Sequence, residues 1–153
     1  MKVKGAKMAR KKYFEGLDRR IDRIKSGYFV TNLLKSGKSL NYEEYKKRKE
    51  AYQAAGQPDE YVDKYIKRID NFYNNELPQK YIPALLKNAR EKVKGVDDGD
   101  KWKANPQPRI KSIDEAMKVV DVAKSLAIKE NTDLKAFEGK YSKRKKCIQS
   151  KSS

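Results

Sequence analysis

The sequence predicts an all-α fold: about six helices in one small bundle-like domain with basic terminal arms. Three observations predict it. Apolar residues recur at spacings of three and four along most of the chain. Residues that cap helices stand just before those stripes, and glycines stand just after them. No stretch alternates apolar and polar residues as a strand would. At 153 residues the chain has the length of one domain.

The elements follow in order. Residues 1–12 read as a basic N-terminal arm, and residues 13–139 as the helical domain. From Tyr13, the residues Phe14, Leu17, Ile21, Ile24 and Tyr28 are spaced 3, 4, 3, 4 and form one stripe. It continues through Val30, Leu33 and Leu34 and stops at Ser36-Gly37. Asn41 with Glu44 is a capping box, and Leu40 with Tyr45 fits a hydrophobic staple. This helix is expected to end at Gly56. Pro58 then stands at a first-turn position, followed by Asp59 and Glu60, which suit the helix dipole. Tyr61, Val62, Tyr65, Ile66, Ile69, Phe72 and Tyr73 form the strongest apolar face, with Asn74-Asn75 expected to end it. Pro78 and Pro83 bracket the entry to a helix carrying Ile82, Leu85, Leu86, Ala89 and Val93, closed by Gly95.

Residues 95–111 lack a period and contain two Pro and two Gly, which predicts a long loop. Ser112 with Glu115 resembles a second capping box, ahead of Ile113, Ala116, Met117, Val120, Ala123, Leu126 and Ala127. Thr132 is placed to cap a last helix with Leu134, Phe137 and Tyr141 inward. Residues 140–153 read as a basic C-terminal tail. The span 13–139 holds 28 of the 30 Leu, Ile, Val and Phe residues, all but Val3 and Ile148. The core is therefore expected inside that span, with both ends outside it.

Charge is the most informative feature for function. The chain carries 38 Lys and Arg against 21 Asp and Glu, a net charge of +17. Residues 1–49 net +11, residues 50–139 net zero, and residues 140–153 net +6. A balanced middle suits a compact body, because dense like charge destabilises one. Basic ends on such a body suit arms that reach a polyanion.

Several classes are excluded or left without support. There is no His, which removes His-based acid–base catalysis, catalytic triads and His metal sites. A single Cys, Cys147, cannot close an internal disulfide, which fits a reducing compartment. No apolar run approaches the ~18 residues of a membrane span, and no apolar segment follows the N-terminal charges, so no secretory signal is expected. Gly37-Lys38-Ser39 lacks the earlier Gly of a phosphate-binding loop, Asn32 standing in its place, and reads as a helix end. Asp97, Asp98 and Asp100 fail as a calcium loop because Pro108 occupies the closing position. For a small enzyme there are only scattered carboxylates such as Asp63 and Asp70, seven apart on one helix face, and salt bridges to Lys67 are expected to account for them at least as well. No metal, cofactor or small-molecule substrate is expected.

The sequence thus points to a non-enzymatic, basic structural protein of a large nucleoprotein assembly, a virion or a ribosome-like particle. It would contact nucleic-acid phosphates through its ends and lie inside a cell or virion; Lys143-Arg144-Lys145-Lys146 would also fit a nuclear import run. In composition alone, such ends resemble those of histone-like, ribosomal and virion-internal proteins. The candidate nucleic-acid residues are Arg10, Lys11, Lys12, Arg19, Arg20 and Arg23 at one end. At the other they are Lys143, Arg144, Lys145 and Lys146. The alternative is a protein–protein connector, a capsid, portal or adaptor subunit whose basic arms dock on acidic protein surfaces. Of the ten Tyr, Tyr45, Tyr52, Tyr61, Tyr65 and Tyr73 sit at helical spacing and are expected in the core or an interface, while Tyr13, Tyr42 and Trp102 are the candidate surface aromatics.

Overall fold

In the computed structural model residues 2–96 and 106–152 are described, and the side chains described are those of 8–96 and 106–150. The Asp97–Asp100 turn, Trp102 and most of the 95–111 loop lie outside the described residues. The fold is all-α. Among the described residues there is no strand, and six α-helices have eleven residues or more. The chain divides into two compact units, 1–79 and 80–153.

The first unit contains α1 (Lys2–Lys25), α2 (Phe29–Ser36), a 3-10 turn (Gly37–Ser39), α3 (Tyr42–Ala54) and α4 (Glu60–Asn71). Helix α1 begins at Lys2, so the expected arm of residues 1–12 is the first half of a helix. Its Lys, Ala, Met and Arg residues are good helix formers, and no Pro interrupts them. The stripe Phe14, Leu17, Ile21, Ile24 is buried as its spacing predicts, and α1 packs on α2 and α4. The expected continuation to Leu34 fails at Ser26-Gly27-Tyr28. Gly27 takes φ +65°, a conformation that other residues rarely adopt, and the chain turns there.

Helix α3 matches expectation closely. Glu44 N–H donates to Asn41 Oδ1 at 3.0 Å, and Gly56, with φ +63°, lies just beyond the helix. At α4 the cap is Asp59 rather than Pro58 in the first turn: Asp59 Oδ1 accepts from the Tyr61 and Val62 N–H groups. Asp18 is the one buried charged residue among those described, and Arg68 Nε lies 3.3 Å from its Oδ1. Burial pushes the Asp18 carboxyl up, against the lowering pull of Arg68.

The division between the units falls near the end of a π-helical segment, Phe72–Tyr81. Asn74-Asn75 does not stop the helix as expected. Phe72, Tyr73, Leu77 and Tyr81 are buried along it, and spacings of four and five suit wider winding. Pro78, with no N–H to give to a preceding turn, lies within it.

The second unit contains α5 (Ile82–Lys92), α6 (Pro106–Leu126) and α7 (Thr132–Ser152), with α6 packed against both of the others. Helix α6 starts at Pro106, before the expected Ser112 cap. Prolines are tolerated in a first turn, where the N–H groups have no helical acceptor. Asn131, not Thr132, caps α7: its Oδ1 accepts from Leu134 N–H at 3.0 Å. Helix α7 runs through the expected basic tail. Its inward stripe of Leu134, Phe137 and Tyr141 extends to Ile148, which is 4% exposed and thus belongs to the core. No helix among the described residues is long and apolar enough to cross a membrane.

Candidate nucleic-acid interface

The ten candidate residues lie on α1 and α7, and helical geometry sorts them by direction. On α1, Lys12, Gly16, Arg19 and Arg23 recur at 4, 3, 4 on the face opposite the buried stripe, and all four are exposed. Lys12 and Arg23 are separated by ~16 Å along the axis at 1.5 Å per residue. No acid shares that face. Glu15 sits at its edge and pairs with Arg19. Asp18 and Asp22 lie further round, both held by Arg68, whose Nη2 is 2.6 Å from Asp22 Oδ2. Arg20 is exposed and donates through Nη1 to the Ser39 carbonyl at 3.2 Å.

Arg10 and Lys11 face elsewhere. Arg10 is half-buried and lines a cleft of about 60 Å³ with Tyr52, Gln57, Pro58, Asp59 and Val62. Lys11 is half-buried with its ammonium 4.7 Å from the centre of the Tyr61 ring. Both are committed to the packing of the first unit rather than to its basic face.

Helix α7 repeats the pattern. Gly139, Lys143, Lys146 and Ser150 recur at 4, 3, 4 on the exposed side, with Lys140 and Cys147 beside them, and no acid occurs from residue 139 onward. The four-residue basic run is divided by helical rotation. Lys143 and Lys146 point outward. Arg144 and Lys145 are half-buried, and Lys145 Nζ lies 2.6 Å from Asp114 Oδ1 on α6. Each unit therefore presents one basic helical face, that of α1 with Glu15 paired to Arg19 at its edge.

The block Lys46-Lys47-Arg48-Lys49 on α3 splits in the same way. Lys46 and Lys47 are exposed. Arg48 lies over the Tyr13 ring at 4.8 Å and within 3.5 Å of Glu44, while Lys49 Nζ lies 2.6 Å from Asp70 Oδ2. Tyr13 and Tyr42, expected at the surface, are half-buried in an aromatic cluster in which Tyr42 lies 4.9 Å from Tyr73. Burial, with Glu44 next in effect, raises the Tyr13 phenol.

Among the described residues, the aromatics that face solvent are Tyr28, 86% exposed, and Tyr61, 55% exposed. The spacing assigns Tyr28 to the buried stripe of α1 and Tyr61 to the core or an interface. The signal for Tyr28 lay in the preceding Gly27, which ends α1 before the stripe reaches it. No group of three or more His, Cys, Asp or Glu able to hold a metal occurs among the described residues. No protein-family model matches the chain, and comparison with curated proteins and with solved structures finds no match.

Proposed function

We propose that this protein is a non-enzymatic structural component of a nucleoprotein assembly, such as a virion or a ribosome-like particle, and that it binds nucleic-acid phosphates. The observation that carries this reading is the pair of exposed basic faces, Lys12/Arg19/Arg23 on α1 and Lys140/Lys143/Lys146 on α7. Lys and Arg on a regular helical surface neutralise phosphates without reading bases, so the binding is general in sequence. The half-buried Arg10, Lys11, Arg144 and Lys145 help to hold the helices that display these faces. Proteins that work this way need no catalytic group.

A salt titration tests the proposal. Wild-type affinity for duplex DNA and RNA should fall steeply with salt, by roughly 10³–10⁵ between ~50 and ~200 mM if six to ten phosphates are contacted. Changing Lys140, Lys143 and Lys146 together to Gln should flatten the log–log slope by up to about 0.9 per contact removed. Lys12, Arg19 and Arg23 to Gln should do the same, and both effects should be equal for unrelated sequences. Failure of the wild type to bind at low salt would overturn the reading. It would favour instead a connector that docks on protein, for which the exposed Met8 and Tyr61, 56% and 55% exposed, are the supporting surface.

A further inference from the structure

The turn between α1 and α2 holds a large aromatic ring out in solvent on a fixed backbone. Ser26 N–H bonds back to the Asp22 and Arg23 carbonyls at 3.1 and 3.3 Å, and Ser26 Oγ donates to Arg23 O at 2.8 Å. Asn32 Nδ2 donates across the turn to the carbonyls of Ser26, Ile24 and Arg23, at 2.9, 3.1 and 3.4 Å. These bonds tie the end of α1 to the first turn of α2. On the far side, Phe29 N–H bonds to Gly27 O and Asn32 N–H to Tyr28 O, both at 3.0 Å. The backbone on both sides of Tyr28 is therefore held, and only the ring's own rotamers remain free.

A ring that is 86% exposed on a braced turn gains nothing for the core of the first unit. Tyr offers a large, stiff, amphipathic contact with only two side-chain torsions to fix. Five residues before it, the last turn of α1 carries exposed Arg23. Arg23, whose carbonyl accepts three of the turn's hydrogen bonds, ends the exposed stripe that begins at Lys12. The combination of a phosphate-neutralising track and an exposed aromatic ring on a braced turn after it is the chemistry of single-strand recognition. The track follows the backbone, and the ring stacks on an unpaired base. In a duplex the bases are already stacked inside and offer no face to the ring.

We infer that Tyr28 is a base-stacking residue and that the α1 face selects single-stranded over duplex nucleic acid. This rests on the phosphate-binding reading above and specifies its substrate. The test compares the full-length protein with Tyr28→Ala and Tyr28→Phe on an unstructured pyrimidine oligonucleotide and on a duplex of equal length. Tyr28→Ala should weaken single-strand binding by roughly 5- to 150-fold, the range of a lost base–aromatic stack. It should leave duplex affinity and the salt slope unchanged, since no ionic contact is lost. Tyr28→Phe, which keeps the ring, should bind as wild type. Wild-type single-strand affinity in Tyr28→Ala, or an equal loss on both ligands, would overturn the inference while leaving phosphate binding intact. Absence of binding to either ligand by the wild type would remove the phosphate reading, and the inference with it.

Discussion

The two units use different chemistry to hold their helices. In the first, the centre is aromatic. Phe14 meets Tyr45 and Tyr52 edge-on, with ring centres 6.2 and 5.9 Å away, and Tyr45 stacks on Tyr73 at 5.7 Å. Two phenols also reach carboxylates: Tyr45 Oη donates to Asp70 Oδ1 at 2.6 Å and Tyr52 Oη to Asp63 Oδ1 at 2.8 Å. In the second unit the buried residues are mostly aliphatic, including Leu85, Ala89, Ile113, Val119, Val120, Ala123 and Leu126. The contrast is sharpest at α3, a helix so polar that it buries only Tyr45 and Tyr52. Two phenols anchor it because each supplies a large apolar ring together with a directional hydrogen bond. A charge-rich chain can thus dock a helix with almost no aliphatic surface, which the second unit does not attempt.

The strongest way to break the first unit is Ile66→Asp. Ile66 is 8% exposed and lies on the strongest apolar face, between Val62 and Ile69. A buried carboxylate without a partner costs several kcal/mol, a large share of a net stability of about 5–15 kcal/mol. Thermal unfolding should lose most of its cooperativity; a wild-type midpoint would show that this face does not carry the unit. Ile148→Ala probes the aliphatic unit and should cost about 2–5 kcal/mol, read from chemical denaturation. A cost near zero would return residues 140–153 to the status of a tail.

Alkali separates the two chemistries with a smaller effect. Burial, with Asp70 next in effect, pushes the Tyr45 phenol well above its ordinary value near 10, and burial does the same to Tyr73. Burial also raises Tyr52, with its Asp63 bond acting in the same direction. A group whose folded pKa is raised contributes stability that is complete below the unfolded value. That stability is lost as pH rises, because the unfolded chain releases the proton first. Above about pH 10, hydrogen-exchange protection in α1, α3 and α4 should therefore decline before that in α5–α7, whose core side chains mostly do not titrate. Tyr45→Phe should flatten the decline. Equal loss in both regions would refute the distinction.

The sequence was most legible where local chemistry acts alone. Asn41 and Glu44 announced α3, and the 3, 4 spacing from Phe14 to Ile24 gave the buried side of α1. It was least legible where tertiary burial overrode a local signal. Asn74-Asn75 reads as a stop, yet buried Phe72, Tyr73, Leu77 and Tyr81 carry the helix past it. Ser112 reads as a start, yet the helix is already running from Pro106. For the candidate interface, net charge points to α1 and α7 but does not say which of their charges are exposed. A run such as Lys143–Lys146 turns through most of a helical circle, so half of it points inward.

Helix α7 also fixes how far its charges can extend. Ordering a flexible backbone costs about 1–2 kcal/mol per residue, and a floppy arm incurs that on contact with its ligand. From Gly139 to Ser152 the chain is already helical, so the cost falls on folding rather than on association. The same order shortens the chain. Fourteen residues of helix cover ~20 Å, whereas an extended strand of that length would reach ~45 Å. The C-terminal charges are thus displayed on a short, rigid helical rod, in place of a tether that would reach more than twice as far.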